Sequence, residues 1–188
     1  MGEIFYLISE LRGTCTMKWS ELSCENRVYG QYTENEMIAR GWFLYSLGID
    51  LDSIPDELFD SCEHFSTDGV TLSNPYEDKI HIRDVVGTTR QDYSGGTWLD
   101  AFLQEHKVLS HLQAAHVSRG KYFHMLKRHI NAQAPCIHLI KSKNGKYYVY
   151  RNGNHRVTFY KLMYLAECAT HGNRLHYYWL YANIYDEL

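Results

Sequence analysis

From Lys79 to Val86 (Lys-Ile-His-Ile-Arg-Asp-Val-Val) apolar and polar residues alternate with period two and stop at Gly87, which predicts one strand with a buried face. Helical spacing governs two earlier stretches. Thr33-Glu34-Asn35-Glu36 is a capping-box pattern ahead of Met37, Ile38, Trp42, Phe43 and Leu44, and the run stops at Gly48. Pro55–Phe59 reads as a short helix, with Ser53 as cap and Asp56 and Glu57 in its first turn. Residues 65–79 are dense in turn formers and read as a loop.

Beyond the polar loop 88–97, Thr97–Leu112 is helical in pattern, and so is Ser118–Asn131. On the second of these, Tyr122, Leu126 and Ile130 share one side, while Lys121, His124 and Arg128 share the other. After Pro135, Cys136–Ile140 reads as a strand. Lys143-Asn144-Gly145-Lys146 then predicts a hairpin with a type I′ turn, leading into a strand over Tyr147–Tyr150. Arg151-Asn152-Gly153-Asn154-His155-Arg156 follows, then an apolar helix over Val157–Ala169 and an aromatic β-rich run over Leu175–Ile184. The order predicts an α+β fold: a small mixed sheet with packed helices over 77–188, preceded by a mainly helical segment over 1–76.

Composition sharpens this division. The chain has 188 residues, is 45% hydrophobic and contains only 3 Pro, which excludes a disordered or fibrous protein. No run reaches the ~20 apolar residues of a membrane span, and the N-terminus lacks the pattern of a secretory signal, so the expected location is the cytoplasm. The net charge of -3 conceals opposite halves. Residues 1–76 hold 4 Lys/Arg against 13 Asp/Glu, whereas residues 77–188 hold 15 against 9. From His106 to Ala166 there is no Asp or Glu among 11 Lys/Arg and 7 His. Such a surface either packs on the acidic segment of the same chain or receives phosphate, as nucleotide or nucleic acid. The five scattered cysteines form no C-x-x-C pair. Cys62-Glu63-His64 and Cys136-Ile137-His138 place potential ligands two apart without a second pair, and the thiols read as buried groups.

The turn after the Tyr147–Tyr150 strand carries the most chemistry. A strand passing through Asn152-Gly153-Asn154 straight into a helix aims backbone N–H groups and the positive helix end at one point, which suits an anion. Gly153 allows close approach, and His155 and Arg156 add side-chain donors, the arginine as a two-pronged fork. An ordinary turn capped by Asn154 is the alternative. Of the 16 tyrosines, 9 fall in 146–188; they read mainly as core, with stacking on bases or adenine as the other possibility.

The sequence of strand, helix, Ala134-Pro135 strand, Asn-Gly hairpin, strand, Gly153-Asn154-His155-Arg156, helix and strand resembles the ParB/sulfiredoxin superfamily over about residues 77–186. The resemblance implies that Gly153, Asn154, His155 and Arg156 hold nucleotide phosphates, with Lys121, His124 and Arg128 completing the pocket. In sulfiredoxin a cysteine nucleophile precedes His-Arg. Here that residue is Asn154, whose amide cannot act as a thiolate does, so sulfinic-acid reduction is disfavoured. The helix-turn-helix reader of chromosome-partitioning relatives has no counterpart before Leu188.

Within the superfamily the chain looks most like the oncogenic-suppression proteins of plasmids, which implies ATP hydrolysis, Mg²⁺-dependent DNA cleavage and inhibition of conjugative DNA transfer between bacteria. The implied partners are nucleotide, DNA and a component of a conjugative secretion system. A metal ion needs carboxylates, and the acid-free stretch has none. Asp84 and Asp92 are the favoured metal and catalytic candidates, ahead of Asp100, Glu105 and the acidic N-terminal segment, and His155 is an acid–base candidate beside Arg156. Two other functions remain open: a non-catalytic inhibitor that grips DNA or a secretion component, and an ATP-dependent small-molecule kinase.

Overall fold

The computed structural model describes residues 40, 41, 43–45, 47–49, 54–104, 137–172 and 176–188. The expected capping box at Thr33–Glu36, the 118–131 helix and most of the N-terminal segment lie outside the described residues.

The chain is mixed α and β. Seven strands, β1 (Ser61–His64), β2 (Tyr76–His81), β3 (Val85–Thr88), β4 (Gly96–Thr97), β5 (His138–Lys141), β6 (Tyr147–Val149) and β7 (Trp179–Asp186), form one sheet in the order β2-β7-β5-β6-β3-β1-β4. Pairing is parallel for β1 with β3, β3 with β6 and β5 with β7, and antiparallel for the other three contacts. Two α-helices are described end to end, α1 (Trp98–Gln104) and α2 (Asn154–His171), and residues 40, 41 and 43–45 are also helical. Among the described residues, no helix is long and apolar enough to cross a membrane.

The expected single strand over 79–86 is two strands, β2 and β3, separated by a 3-10 turn at Ile82–Asp84. Lys161 on α2 is the physical reason. Its buried ammonium donates to the carbonyl oxygens of Ile82 at 3.2 Å, Arg83 at 3.2 Å and Val85 at 2.8 Å, which gathers the three carbonyls of the turn around one donor. The Pro55–Phe59 helix is also of the 3-10 type, spanning Asp56–Phe59 after Pro55. The hairpin departs from type I′, which needs positive φ at both central residues. Only Gly145 has positive φ, at 80°, and Ser142 N donates to Lys146 O at 2.9 Å, closing a three-residue loop. Asn144 Oδ1 fixes that loop by accepting from the Lys146 amide at 3.2 Å and from the Ser142 hydroxyl.

α1 opens on a side-chain cap. The Asp100 carboxylate accepts from Thr97 N at 2.8 Å and Thr97 Oγ1 at 2.9 Å, and Asp100 N donates back to Thr97 Oγ1 at 3.1 Å. Its apolar side meets α2 through Phe102 and Phe159, and Phe43 joins both rings at centroid distances of 5.3 and 4.8 Å. The hydrophobic core thus draws on residues from both the 1–76 and the 77–188 stretches, and so does the sheet, since β1 pairs with β3 and β4. α2 is buried around most of its circumference, so its placement against the sheet is fixed by packing rather than by one narrow stripe.

Candidate functional site

The parallel strands β1, β3 and β6 end on the same side of the sheet, at His64, Thr88 and Val149. In open α/β sheets the carboxyl ends of parallel strands are where loops gather into ligand crevices. Two loops meet there: 89–95 after β3, and 150–153, which carries β6 into α2.

The 150–153 turn is held in an uncommon backbone shape. Arg151 has φ 57° and Gly153 has φ 111°, with Asn152 at negative φ between them; Arg151 is the only non-glycine residue of positive φ among the described residues. A non-glycine residue in this region costs about 1 kcal/mol and persists where surrounding contacts enforce it. Those contacts are present. His138 N donates to Asn152 O at 3.1 Å, Tyr150 N donates to His138 O at 2.8 Å, and the Arg151 guanidinium lies 4.7 Å from the Tyr150 ring centre. At Gly153 an added Cβ would stand 3.2 Å from both branch carbons of Ile137, a tight contact that adds to the strain a side chain meets at φ 111°.

α2 begins directly after Gly153, which has no capping side chain, and the first helical bond runs from Val157 N to Gly153 O at 2.8 Å. Helix geometry supplies no acceptor one turn back for the amides ahead of Val157, and these lie at the positive end of an 18-residue helix. Asn154 contributes through its backbone. Its side chain is buried, and Oδ1 accepts from Thr88 Oγ1 at 2.6 Å, tying β3 to the start of α2. Arg156 is half-buried and donates to Asn152 Oδ1 at 3.3 Å, so its guanidinium lies over the turn.

The 89–95 loop lies against this turn. Arg90 N donates to Thr88 Oγ1 at 3.1 Å, and the Tyr93 ring meets the His155 imidazole edge-on at 5.9 Å. Asp92 is held by Arg90, whose Nε donates at 2.9 Å and whose second nitrogen also binds the carboxylate. The Arg90 guanidinium further packs 4.5 Å from the Tyr93 ring centre.

Asp92 therefore stands on the side of the turn. Asp84 does not, because it precedes β3, four residues or about 13 Å of strand from the end at Thr88, and its carboxylate faces Arg83 Nε at 3.3 Å. The pair expected to share a metal ion is not brought together. Asp100, the next candidate, is committed to the α1 cap. Among the described residues no three His, Cys, Asp or Glu side chains gather as metal ligands. Glu105, Lys121, His124 and Arg128 lie outside the described residues.

The positive field of the turn is felt by its neighbours. His138, at the start of β5, has its pKa held below the usual histidine value by burial, with Arg151 and Arg156 acting in the same direction. Its Nδ1 contacts Tyr185 OH at 3.0 Å. In an NMR titration the His138 midpoint is expected below that of an exposed histidine and should rise in Arg156→Ala; an unchanged midpoint would show that Arg156 exerts no field there.

Sequence reasoning passed over Thr88, Arg90, Ser94 and His64 as a group. Antiparallel pairing of Ser61 with Thr97 and Cys62 with Gly96 places His64 opposite Ser94, where Ser94 Oγ and His64 Nδ1 are 2.9 Å apart. The available signal is Cys62-Glu63-His64, which places potential ligands two apart without a second pair; the residue facing His64 is visible only once β1 and β4 pair.

No protein-family model matches the chain, and neither a characterised protein nor a solved structure shows significant similarity to it.

Proposed function

We propose that this protein binds ATP, with its phosphates against the Tyr150–Arg156 turn, and is a phosphoryl-transfer hydrolase of ParB/sulfiredoxin type that cleaves ATP and DNA phosphodiester bonds and inhibits conjugative DNA transfer. The observation that carries the reading is the enforced left-handed turn at Arg151 and Gly153 opening α2 at the carboxyl ends of three parallel strands. Arg151, Arg156 and Arg90 bring cations to that point, and a guanidinium recognises two phosphate oxygens at once. Magnesium would arrive with the nucleotide. Asp92, held by Arg90 in the loop against the turn, is a carboxylate that would help to hold it there.

Arg156→Ala is expected to weaken ATP binding at least about tenfold in calorimetric titration, since a charge-assisted contact is worth roughly 1.5–3 kcal/mol. Affinity equal to the parent's overturns the reading. The separation of Asp84 from Asp92 favours a second reading, a DNA-binding inhibitor without turnover. Steep loss of DNA affinity with salt and no cleaved product would select it.

A further inference from the structure

The chemistry-bearing pair beside the turn has no role in phosphate binding itself. Ser94 Oγ lies 2.9 Å from His64 Nδ1 and 3.4 Å from Gln91 O, so in the tautomer that leaves Nδ1 without a proton the hydroxyl can donate to the imidazole. His64 is the last residue of β1, paired with Thr88 of β3, and Ser94 immediately precedes Gly95, whose amide donates to Cys62 O at 3.0 Å where the β1–β4 pairing begins. Tyr93, the residue before Ser94, meets His155 of α2 edge-on, and Thr88 at the other end of the loop is bonded to Asn154. A serine hydroxyl is a weak nucleophile until a neighbouring base takes its proton, and a serine and histidine within hydrogen-bond reach form the minimal pair for that.

We propose that Ser94 is the nucleophile of this protein, accepting the γ-phosphoryl group of bound ATP with His64 as its base. Ser94 Oγ attacks the γ-phosphorus, the bond from that phosphorus to the β,γ-bridging oxygen breaks, and ADP leaves with the electron pair. The hydroxyl proton passes to His64 Nδ1. The products are phosphoserine 94 and ADP, and nothing is oxidised or reduced. Water attack on the phosphoserine then returns the hydroxyl and releases phosphate, which completes ATP hydrolysis. The step rests on ATP binding at the 150–156 turn, and its geometric basis is separate, because neither His64 nor Ser94 belongs to that turn.

The test uses the full chain incubated with ATP and Mg²⁺, quenched at intervals from milliseconds to an hour and read by intact mass and peptide mapping, with ATP binding to the same preparation measured by calorimetry. The expected result is a gain of one phosphoryl group mapped to Ser94. It should be absent in Ser94→Ala, form about a hundredfold or more slowly in His64→Gln and be unchanged in Ser66→Ala, a serine of the exposed loop. ATP binding without labelling at any quench time, or labelling at another residue, overturns the proposal and leaves the nucleotide site standing. Absence of ATP binding removes the nucleotide site and the proposal together.

Discussion

Lys161→Met should lower the unfolding free energy by about 3 kcal/mol, seen as a smaller midpoint denaturant concentration with an unchanged slope. Methionine keeps the apolar stem that packs within α2's buried surroundings, so the loss isolates the ammonium. That ammonium is the donor for three carbonyls, Ile82, Arg83 and Val85, and it lies 5.5 Å from the Trp98 ring centre and 5.8 Å from that of Tyr164. Ile82 O keeps the Val85 amide as a donor and Arg83 O is only part-buried, so the loss falls mainly on Val85 O and Arg83 O, at about 1–3 kcal/mol for each acceptor left without a partner. A loss under about 1 kcal/mol would mean that the 3-10 turn is held by something else.

The same side chain gives the stability a pH signature. Burial pushes the Lys161 pKa down to about 8, although Asp60 and Asp84 act in the opposite direction. In the unfolded chain lysine holds its proton to about 10.4. Above pH 8 the unfolded state therefore binds more protons than the folded one, and stability rises with pH. Burial also pushes the Cys62 thiol up to about 12, so above about pH 9 the unfolded chain gives up a thiol proton that the folded chain keeps, and stability falls. Between pH 8 and 9 the lysine raises the curve by about 1 kcal/mol and the thiol takes back about half of that, after which the curve turns over. In Lys161→Met the climb should vanish and the fall remain.

Lys161 also shows why one part of the fold was readable and another was not. The segment from Cys136 through the Asn-Gly hairpin, the Gly153 turn and the apolar helix was legible because each element is specified by neighbours in the chain: alternation, a turn pair, then helical spacing. The break between β2 and β3 was not. Ile80, Ile82 and Val86 keep a period of two along the sequence, and the group that bends the segment is on α2, 76 to 79 residues further on. The site divides in the same way. Gly153, Arg156 and the start of α2 could be read locally, whereas the separation of Asp84 from Asp92 follows from the length of β3 between them. The pairing of His64 with Ser94 follows from the β1–β4 register, which four residues of pattern at Ser61–His64 could not announce. Asn154 was legible as to place but not as to role, since its partner Thr88 is 66 residues away.

Gly87→Ala is expected to be as severe as the loss of Lys161, costing about 4 kcal/mol or detaching β1 outright. A Cβ at Gly87 would stand 2.0 Å from the Glu63 carbonyl oxygen, 2.7 Å from its carbon and 2.8 Å from its nitrogen, all backbone atoms of the paired strand. No rotamer change can relieve that contact. Gly87 lies between Glu63 on β1 and Tyr148 on β6, and the Glu63 carboxylate binds Lys146 Nζ at 2.6 Å and Tyr148 OH at 2.7 Å, two strands away. An alanine forces β1 outward, breaks both carboxylate contacts and carries His64 away from Ser94. Hydrogen exchange should then show β1 and β4 losing protection while α2 keeps its own, because opening can be confined to one cooperative unit. Gly145→Ala is the control. Unlike Gly87, it needs positive φ, at 80°, but an added Cβ there meets nothing within 4 Å, so its cost is confined to the backbone at about 1 kcal/mol. If the two alanines cost the same, the β1–β3 contact is not the close approach described, and the pairing that brings His64 to Ser94 loses its basis.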